Sequence, residues 1–175
     1  IAVGTEPYRP SNIPFDGEAI LDPDEILELK RLPRSLTVIG AGVIGIEYAT
    51  IFSALDVKVT VIEPADTLLS FIDRELVDEF IHDMRDRGMS LRFQSKVKRV
   101  TRPAHDACLV ELEDSRLVWS EMVLFAAGRK GATESLELEN CGLSTDDRGK
   151  IEVDRATFRT KLPHIFAVGD VIGFP

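Results

Sequence analysis

Hydrophobic residues follow two kinds of spacing along this chain, and together these predict a parallel sheet covered by helices. Short apolar runs at residues 35–39, 57–62 and 89–93 are rich in branched side chains and are typical of buried strands. Apolar residues at helical spacing connect the first two runs, up to Leu55. A second helix opens at Asp73, and its apolar stripe consists of Leu76, Val77, Phe80, Ile81 and Met84. The order β-α-β-α-β favours right-handed crossovers.

The pattern changes after the third strand. Three short strands, at residues 96–101, 108–112 and 116–119, are separated by connections too short for a crossover, so they predict an antiparallel meander. An apolar strand at 122–127 follows, and then a polar loop with a short helical turn at 134–138. Extended segments are expected at 151–153 and 165–168. The predicted fold class is α/β: a Rossmann-like parallel sheet with helices on both faces plus a three-stranded antiparallel meander.

The same pattern divides the chain into three parts. Residues 1–30 are punctuated by Gly and Pro and predict an approach segment with one short helix at 24–30. Residues 31–130 hold the α/β core, and residues 131–175 form a return segment. Because the chain begins with Ile1 rather than Met, we expect it to be a segment of a longer protein.

Charge and cysteine content exclude several classes of function. The 175 residues include 21 Lys and Arg against 30 Asp and Glu, a net charge of −9, which disfavours a nucleic-acid-binding surface. No apolar run reaches the roughly 18 residues that a membrane span needs. Cys108 and Cys141 form no C-x-x-C pair and the three histidines are scattered, so neither a metal site nor a disulfide framework is predicted.

The strongest candidate site is a glycine turn between the first strand and the first helix. Gly40, Gly42 and Gly45, with Val43 and Ile44 between the last two, form a G-x-G-x-x-G sequence. In this context the first glycine allows a tight turn, the second lets a diphosphate approach the backbone, and the third lets helix and strand pack closely. The turn therefore predicts a dinucleotide site, with a ligand-free glycine turn as the alternative.

Two acids accompany this turn. Glu63 stands at the end of the second strand, where a carboxylate can accept hydrogen bonds from an adenosine ribose diol and repel the 2′-phosphate of NADP. Taken alone it favours NAD, and replacing it with Arg should shift the preference toward NADP. The alternative is a solvated acid at a strand end. Glu47 lies near the start of the helix, where an acid also suits the helix dipole.

Four motifs in order resemble the pyridine nucleotide-disulfide oxidoreductase flavoproteins. Residues 2–7 resemble the segment that leaves the flavin domain, and residues 40–47 resemble the phosphate turn of the inserted NAD(P) domain. Residues 125–129 match the strand-end A-x-G-R segment, and residues 160–170 match the second flavin-binding motif. Within the superfamily, the chain end at 168–175 is similar to soluble pyridine nucleotide transhydrogenases. The sequence departs from the pattern of these relatives at two positions. Ala132 stands where relatives commonly carry Asn, and Glu63 suits NAD better than the NADPH that a transhydrogenase must also bind.

The resemblance implies a full-length protein that holds FAD and binds both NAD(H) and NADP(H). This protein would pass hydride between NADPH and NAD. It places Glu47 near the nicotinamide, Gly128 and Arg129 along the nucleotide cleft, and Gly169 with Asp170 at FAD. It also implies a cytoplasmic homodimer, although the isolated segment is expected to be monomeric and inactive. No catalytic residue is assigned within the segment. The alternatives are a dihydrolipoamide dehydrogenase or a related NAD-dependent disulfide reductase, and a non-catalytic nucleotide-binding module.

Overall fold

The computed structural model describes residues 1–173, which form two compact units. The larger unit comprises residues 9–128, and the smaller unit comprises residues 1–8 with 129–173. Phe174 and Pro175, which end the transhydrogenase-like stretch, lie outside the described residues. The strands are β1 (Thr5–Pro7), β2 (Ile20–Leu21), β3 (Ser35–Ile39), β4 (Lys58–Ile62), β5 (Ser90–Arg92), β6 (Val97–Ala104), β7 (Ala107–Leu112), β8 (Leu117–Ser120), β9 (Met122–Phe125) and β10 (Arg129–Gly131); the α-helices are α1 (Val43–Ala54) and α2 (Arg74–Asp86).

A five-stranded parallel sheet forms the centre of the larger unit, in the order β2-β9-β3-β4-β5. β3 lies between β4 and β9, pairing Val38 with Val61 on one side and with Leu124 on the other. All four residues of β9 are buried, as expected for a strand covered on both faces. The predicted parallel sheet is confirmed, and with it the predicted fold class.

The two α-helices differ in how their apolar residues are distributed. α2 is amphipathic: Asp73 caps its first turn by accepting a hydrogen bond from the amide of Glu75, and its buried residues are Val77, Ile81 and Met84. Leu76, predicted to belong to the buried stripe, is 66% exposed, so that part of the prediction was wrong. Residue 76 precedes Val77 by one position, about 100° around the helix, and therefore lies outside the buried face.

The predicted meander is confirmed as an antiparallel sheet in the order β6-β7-β8. On β7, Cys108, Val110 and Leu112 are buried and alternate with half-buried residues, which is the pattern of a sheet with one covered face. A buried chain of hydroxyl groups links this sheet to the parallel one. Thr37 donates to the Ser120 hydroxyl at 2.8 Å, and Ser120 donates to the Met122 carbonyl at 2.8 Å. Both buried hydroxyls are thereby satisfied.

The approach segment is more ordered than its Gly and Pro content predicts. Its strand β2 extends the parallel sheet by pairing with β9, a strand that the sequence prediction missed. The helix expected at 24–30 is a single 3₁₀ turn at Glu25–Glu28. Buried Asp22 holds this turn, because its carboxylate accepts the amides of Asp24 and Glu25 and is paired with Arg9 at 2.7 Å.

A buried acid, Glu121, ties the chain before β3 to the chain before β9. Its carboxylate accepts hydrogen bonds from the Arg34 amide at 2.8 Å, from the Arg34 guanidinium, and from Arg31 at 3.1 Å. The Arg34 amide, followed by the Arg34 guanidinium, lowers the pKa of Glu121 to about 2. The ionised form is therefore favoured in the folded state, and protonation opposes folding.

Glu121→Gln should lower the unfolding free energy at pH 7 by about 2 kcal/mol, a value moderated by the exposure of both arginines. Since the folded pKa is depressed, this stabilisation is complete above the unfolded pKa of about 4.3 and is lost as pH falls toward 2. Urea unfolding at pH 7, 4 and 3 measures it: the difference between the two proteins should be largest at pH 7 and smallest at pH 3. Glu113→Gln, an exposed acid, is the control, and an equal loss for both variants would contradict the prediction.

The smaller unit contains one two-stranded antiparallel sheet, in which β1 pairs with β10. Its core packs buried residues of short 3₁₀ turns and loops: Leu138, Leu143, Ile151, Ala167, Val171 and Ile172. The segments expected to be extended at 151–153 and 165–168 make only isolated bridges, at Ile151 and Phe166. The Ile1 amino group donates to the Phe166 carbonyl at 2.6 Å and the Val168 amide donates to Ile1 at 3.0 Å, so residues 1 and 166–168 pair with each other.

Candidate functional site at the glycine turn

The glycine turn lies where the strand order of the parallel sheet changes direction. From β3 the chain proceeds outward through β4 and β5, whereas β9 lies on the opposite side of β3. In open α/β sheets a crevice forms at the carboxyl ends of the strands at this point, and ligands bind there. Gly40 directly follows β3 in this position. Its φ is +105°, and a Cβ atom there would lie 2.7 Å from the Ala126 carbonyl oxygen, just after β9.

The other two glycines of the turn have different surroundings. A Cβ atom on Gly45 would lie 2.1 Å from the carbonyl oxygen of Gly40, so the first turn of α1 packs directly against the glycine turn. At Gly42 the corresponding position has no atom within 4 Å, and this residue is exposed. The turn is therefore tight at its two ends and open in the middle, which leaves room for a ligand at the Gly42 backbone.

Only some of the turn's backbone amides are available to a ligand. The Gly40 amide donates to Ile62 at 2.9 Å, and the Ala41 amide donates to a carboxylate oxygen of Glu63 at 2.7 Å. Gly42 is the N-cap of α1, and no side chain caps this end. The amides of the first helical turn, including those of Val43 and Ile44, therefore lack helical acceptors and carry the positive end of the helix dipole. An anion is the natural occupant of such a position.

Glu63 directly follows β4, as predicted, and its carboxylate lies beside the glycine turn. Its second carboxylate oxygen accepts the Ala65 amide at 3.0 Å, so both oxygens are bound to backbone. The residue is half-buried, and its carboxylate keeps further lone pairs for a sugar hydroxyl. Arg74, the nearest arginine after β4 in the sequence, bonds to Asp78 on its own helix at 3.1 Å.

Glu47 and Gly128 also belong to the larger unit. Glu47 is exposed on α1, one helical turn after Val43, which is exposed as well. Gly128 is exposed on the carboxyl side of β9, with a φ of +118°. The larger unit therefore carries all the predicted residues of the glycine turn together with Glu47, Glu63 and Gly128.

The remaining predicted site residues, Arg129, Gly169 and Asp170, belong to the smaller unit. Arg129 holds β1 in place, because its guanidinium donates to the Thr5 hydroxyl at 2.8 Å and to the Thr5 carbonyl at 2.7 Å. Gly169 has a φ of +79° and precedes a 3₁₀ turn that begins at exposed Asp170. The Arg129 contacts were not predicted, because the pairing of β1 with β10 was not predicted.

The two cysteines have opposite environments. Cys108 is fully buried, and its thiol points at the Glu121 carbonyl 3.5 Å away. Burial, followed by the charge of Asp16, raises the pKa of Cys108 to about 11, which keeps the thiol protonated and unreactive. Cys141 is exposed. Among residues 1–173, no group of three or more His, Cys, Asp or Glu side chains is placed to hold a metal ion, and no helix is long and apolar enough to cross a membrane.

Comparison with known proteins decides the family. The sequence matches the family described as pyridine nucleotide-disulphide oxidoreductase over residues 1–175. The chain belongs to this family. The resemblance drawn from the four sequence motifs is thus confirmed.

Two relatives within the family are soluble pyridine nucleotide transhydrogenases. One, from Mycobacterium bovis (strain BCG / Pasteur 1173P2), is 48% identical over all 175 residues, which cover 37% of its length. Another, from Salmonella paratyphi C, is 42% identical over the same residues, again 37% of its length. The chain therefore spans little more than a third of these relatives.

Two solved structures share the architecture of this chain. LpdA from Mycobacterium tuberculosis is 31% identical with a TM-score of 0.90, and the match covers 99% of this chain and 38% of that one. The copper(II) complex of the HOCl-induced flavoprotein disulfide reductase RclA from Escherichia coli is 31% identical with a TM-score of 0.87, covering 99% of this chain and 40% of that one.

Proposed function

We propose that the larger unit binds a pyridine dinucleotide at the glycine turn, and that the full-length protein passes hydride between NADPH and NAD through FAD. One observation carries the proposal: the open backbone at Gly42 stands before the uncapped start of α1, with Glu63 beside it. A diphosphate fits this arrangement because its charge meets free amides and the helix dipole together. The identity to two transhydrogenases supports the choice of reaction.

The residues of the turn would contribute to diphosphate binding in two ways, directly and indirectly. Gly42 leaves room for the phosphates, and the amides at Val43 and Ile44 donate to them. Gly40 and Gly45 act indirectly, since they allow the strand, the turn and the helix to pack closely enough to aim those amides.

Glu63 would accept hydrogen bonds from the adenosine ribose diol. A carboxylate at this position favours NAD(H) and disfavours the 2′-phosphate of NADP(H). Both nucleotides would use the one site in turn, and the chain would release NADP(H) more readily than NAD(H).

The other predicted residues complete the assignment. Glu47 would stand near the nicotinamide, Gly128 and Arg129 would line the nucleotide cleft, and Gly169 with Asp170 would contact FAD. Bound FAD supplies the capacity to store a hydride between two nucleotides. The residues of this chain bind and orient the nucleotide, and none of them is assigned a proton-transfer or nucleophilic role.

Transfer of hydride from NADPH to a thio analogue of NAD by the full-length protein tests the reaction. We expect turnover that depends on bound FAD. The likeness to RclA, a flavoprotein disulfide reductase, makes disulfide reduction the second candidate. Reduction of a lipoamide or other disulfide substrate without transfer between nucleotides would favour that candidate and overturn the proposal.

The 175-residue chain alone offers a simpler measurement. Because it spans 37% of its relatives, we expect it to bind NAD(H) weakly and to turn over nothing. Calorimetric titration with NADH and with NADPH should show tighter binding of NADH. Turnover by the chain without added flavoprotein would contradict this expectation.

A further inference from the structure

We infer that Glu63 has a second role, in which its carboxylate holds the glycine turn in the shape that receives the diphosphate. The inference rests on the proposed function and deepens it. One carboxylate oxygen accepts the Ala41 amide at 2.7 Å and the other accepts the Ala65 amide at 3.0 Å. A single side chain thereby joins the turn after β3 to the loop after β4.

The contacts around Ala41 show what this bridge fixes. Ala41 is buried, and both sides of its backbone are bonded: its amide to Glu63, and its carbonyl to the Leu69 amide at 3.3 Å. Without the carboxylate, the buried Ala41 amide would lose its acceptor, which is unfavourable unless the turn moves to find another. Ala41 directly precedes Gly42, so such a movement would displace the amides that face the phosphates.

The loop on the other side is anchored in the same way. Ala65 donates its amide to Glu63 and accepts from the Gln94 amide at 2.8 Å, while the Glu63 carbonyl accepts from the Ser95 amide at 3.0 Å. The carboxylate therefore belongs to a loop that is held in place by hydrogen bonds. Through its bond to the Ala41 amide it restrains the glycine turn as well. Glu63 acts on the diphosphate through the turn and is in this respect a positioning residue.

This role can be distinguished from sugar recognition by using a nucleotide that lacks the 2′-hydroxyl of the ribose. A residue that only contacts the ribose diol contributes less to 2′-deoxy-ADP than to ADP. A residue that organises the turn contributes to both, because both carry the same diphosphate. Glu63→Gln keeps the size of the side chain but replaces one acceptor by a donor, so it cannot accept both amides.

Calorimetric titration of the 175-residue chain with ADP and with 2′-deoxy-ADP tests the inference. We expect Glu63→Gln to weaken 2′-deoxy-ADP about tenfold and ADP by more than that. Asp66→Asn is the matched control, since it removes one negative charge from an exposed position of the same loop. It should change either affinity less than twofold. Unchanged affinity of Glu63→Gln for 2′-deoxy-ADP, with weaker ADP, would overturn the inference.

Amide hydrogen exchange in the nucleotide-free chain gives a second readout that needs no ligand. In the wild type the Ala41 and Ala65 amides should exchange slowly, and in Glu63→Gln they should exchange at least tenfold faster, with α2 amides unchanged. Fast exchange of both amides in the wild type would overturn the inference even if the variant failed to fold. Slow exchange in a wild type that binds neither nucleotide would instead count against the proposed function.

Discussion

Gly42→Val is expected to abolish measurable dinucleotide binding while the chain stays folded. A Cβ atom on Gly42 would have no protein atom within 4 Å apart from its chain neighbours, so a side chain can start there, and valine would occupy space proposed for the diphosphate. Loss of two hydrogen bonds to a charged phosphate costs at least about 3 kcal/mol, or more than about 100-fold in affinity. Titration with NADH measures the loss, and thermal unfolding checks the fold.

The fold should be affected little, because Gly42 has an extended conformation that any residue adopts, with φ −74° and ψ −179°. As an N-cap, valine is poorer than glycine, by about 1 kcal/mol or less. Gly88→Val is a useful comparison, since Gly88 lies two residues after the end of α2 and has a φ of +84°. That variant should lose stability and keep NADH binding. NADH affinity retained by Gly42→Val would exclude the turn as the diphosphate site.

Gly45→Ala is expected to destabilise the larger unit severely, against what helix propensity alone predicts. Alanine in a helix is favoured over glycine by about 1 kcal/mol. Here its Cβ would lie 2.1 Å from the Gly40 carbonyl oxygen, and that backbone cannot yield without breaking the turn. We expect a net loss of at least about 3 kcal/mol, seen in thermal unfolding as a decrease of roughly 6–12 °C.

Gly42→Ala is the matched control for this second prediction, since the same methyl group meets no atom within 4 Å there. Its unfolding temperature should stay within about 3 °C of the wild type. A Gly45→Ala protein at least as stable as the wild type would show that α1 can move away from the turn, contrary to the close packing described.

The structure also refines what Glu63→Arg should do. The exchange introduces a partner for a 2′-phosphate, but it also removes the acceptor of the Ala41 and Ala65 amides. We therefore expect the preference to shift toward NADP(H) mainly because NAD(H) binds less well. Parallel titrations with NADH and NADPH distinguish this from a gain in NADPH affinity of similar size.

The parts of the fold that the sequence predicted are those with strong periodicity or strong turn signals. The apolar strand at 35–39 and the glycines that follow it specify a strand, a turn and a helix start, because few other structures suit both features. The capping acid Asp73 marks the start of α2 for the same local reason.

What the sequence did not reveal depends on contacts between distant residues. β2 is two residues long and has too little pattern to predict, and it exists because β9 offers it a free edge. The amides bound by Glu63 could not be foreseen, since they depend on how two loops approach each other. One signal was present: small residues Ala126 and Ala127 end an apolar strand, where the Gly40 backbone packs.

The contrast between the two thiols makes this chain simple to label. A maleimide dye added to the native protein should attach at Cys141 alone, because Cys108 is enclosed in the core. An attached fluorophore could then follow the smaller unit without any engineered cysteine. Denaturation would expose the second thiol, so the dye-to-protein ratio would rise from one toward two. This ratio would therefore measure the fraction of unfolded molecules.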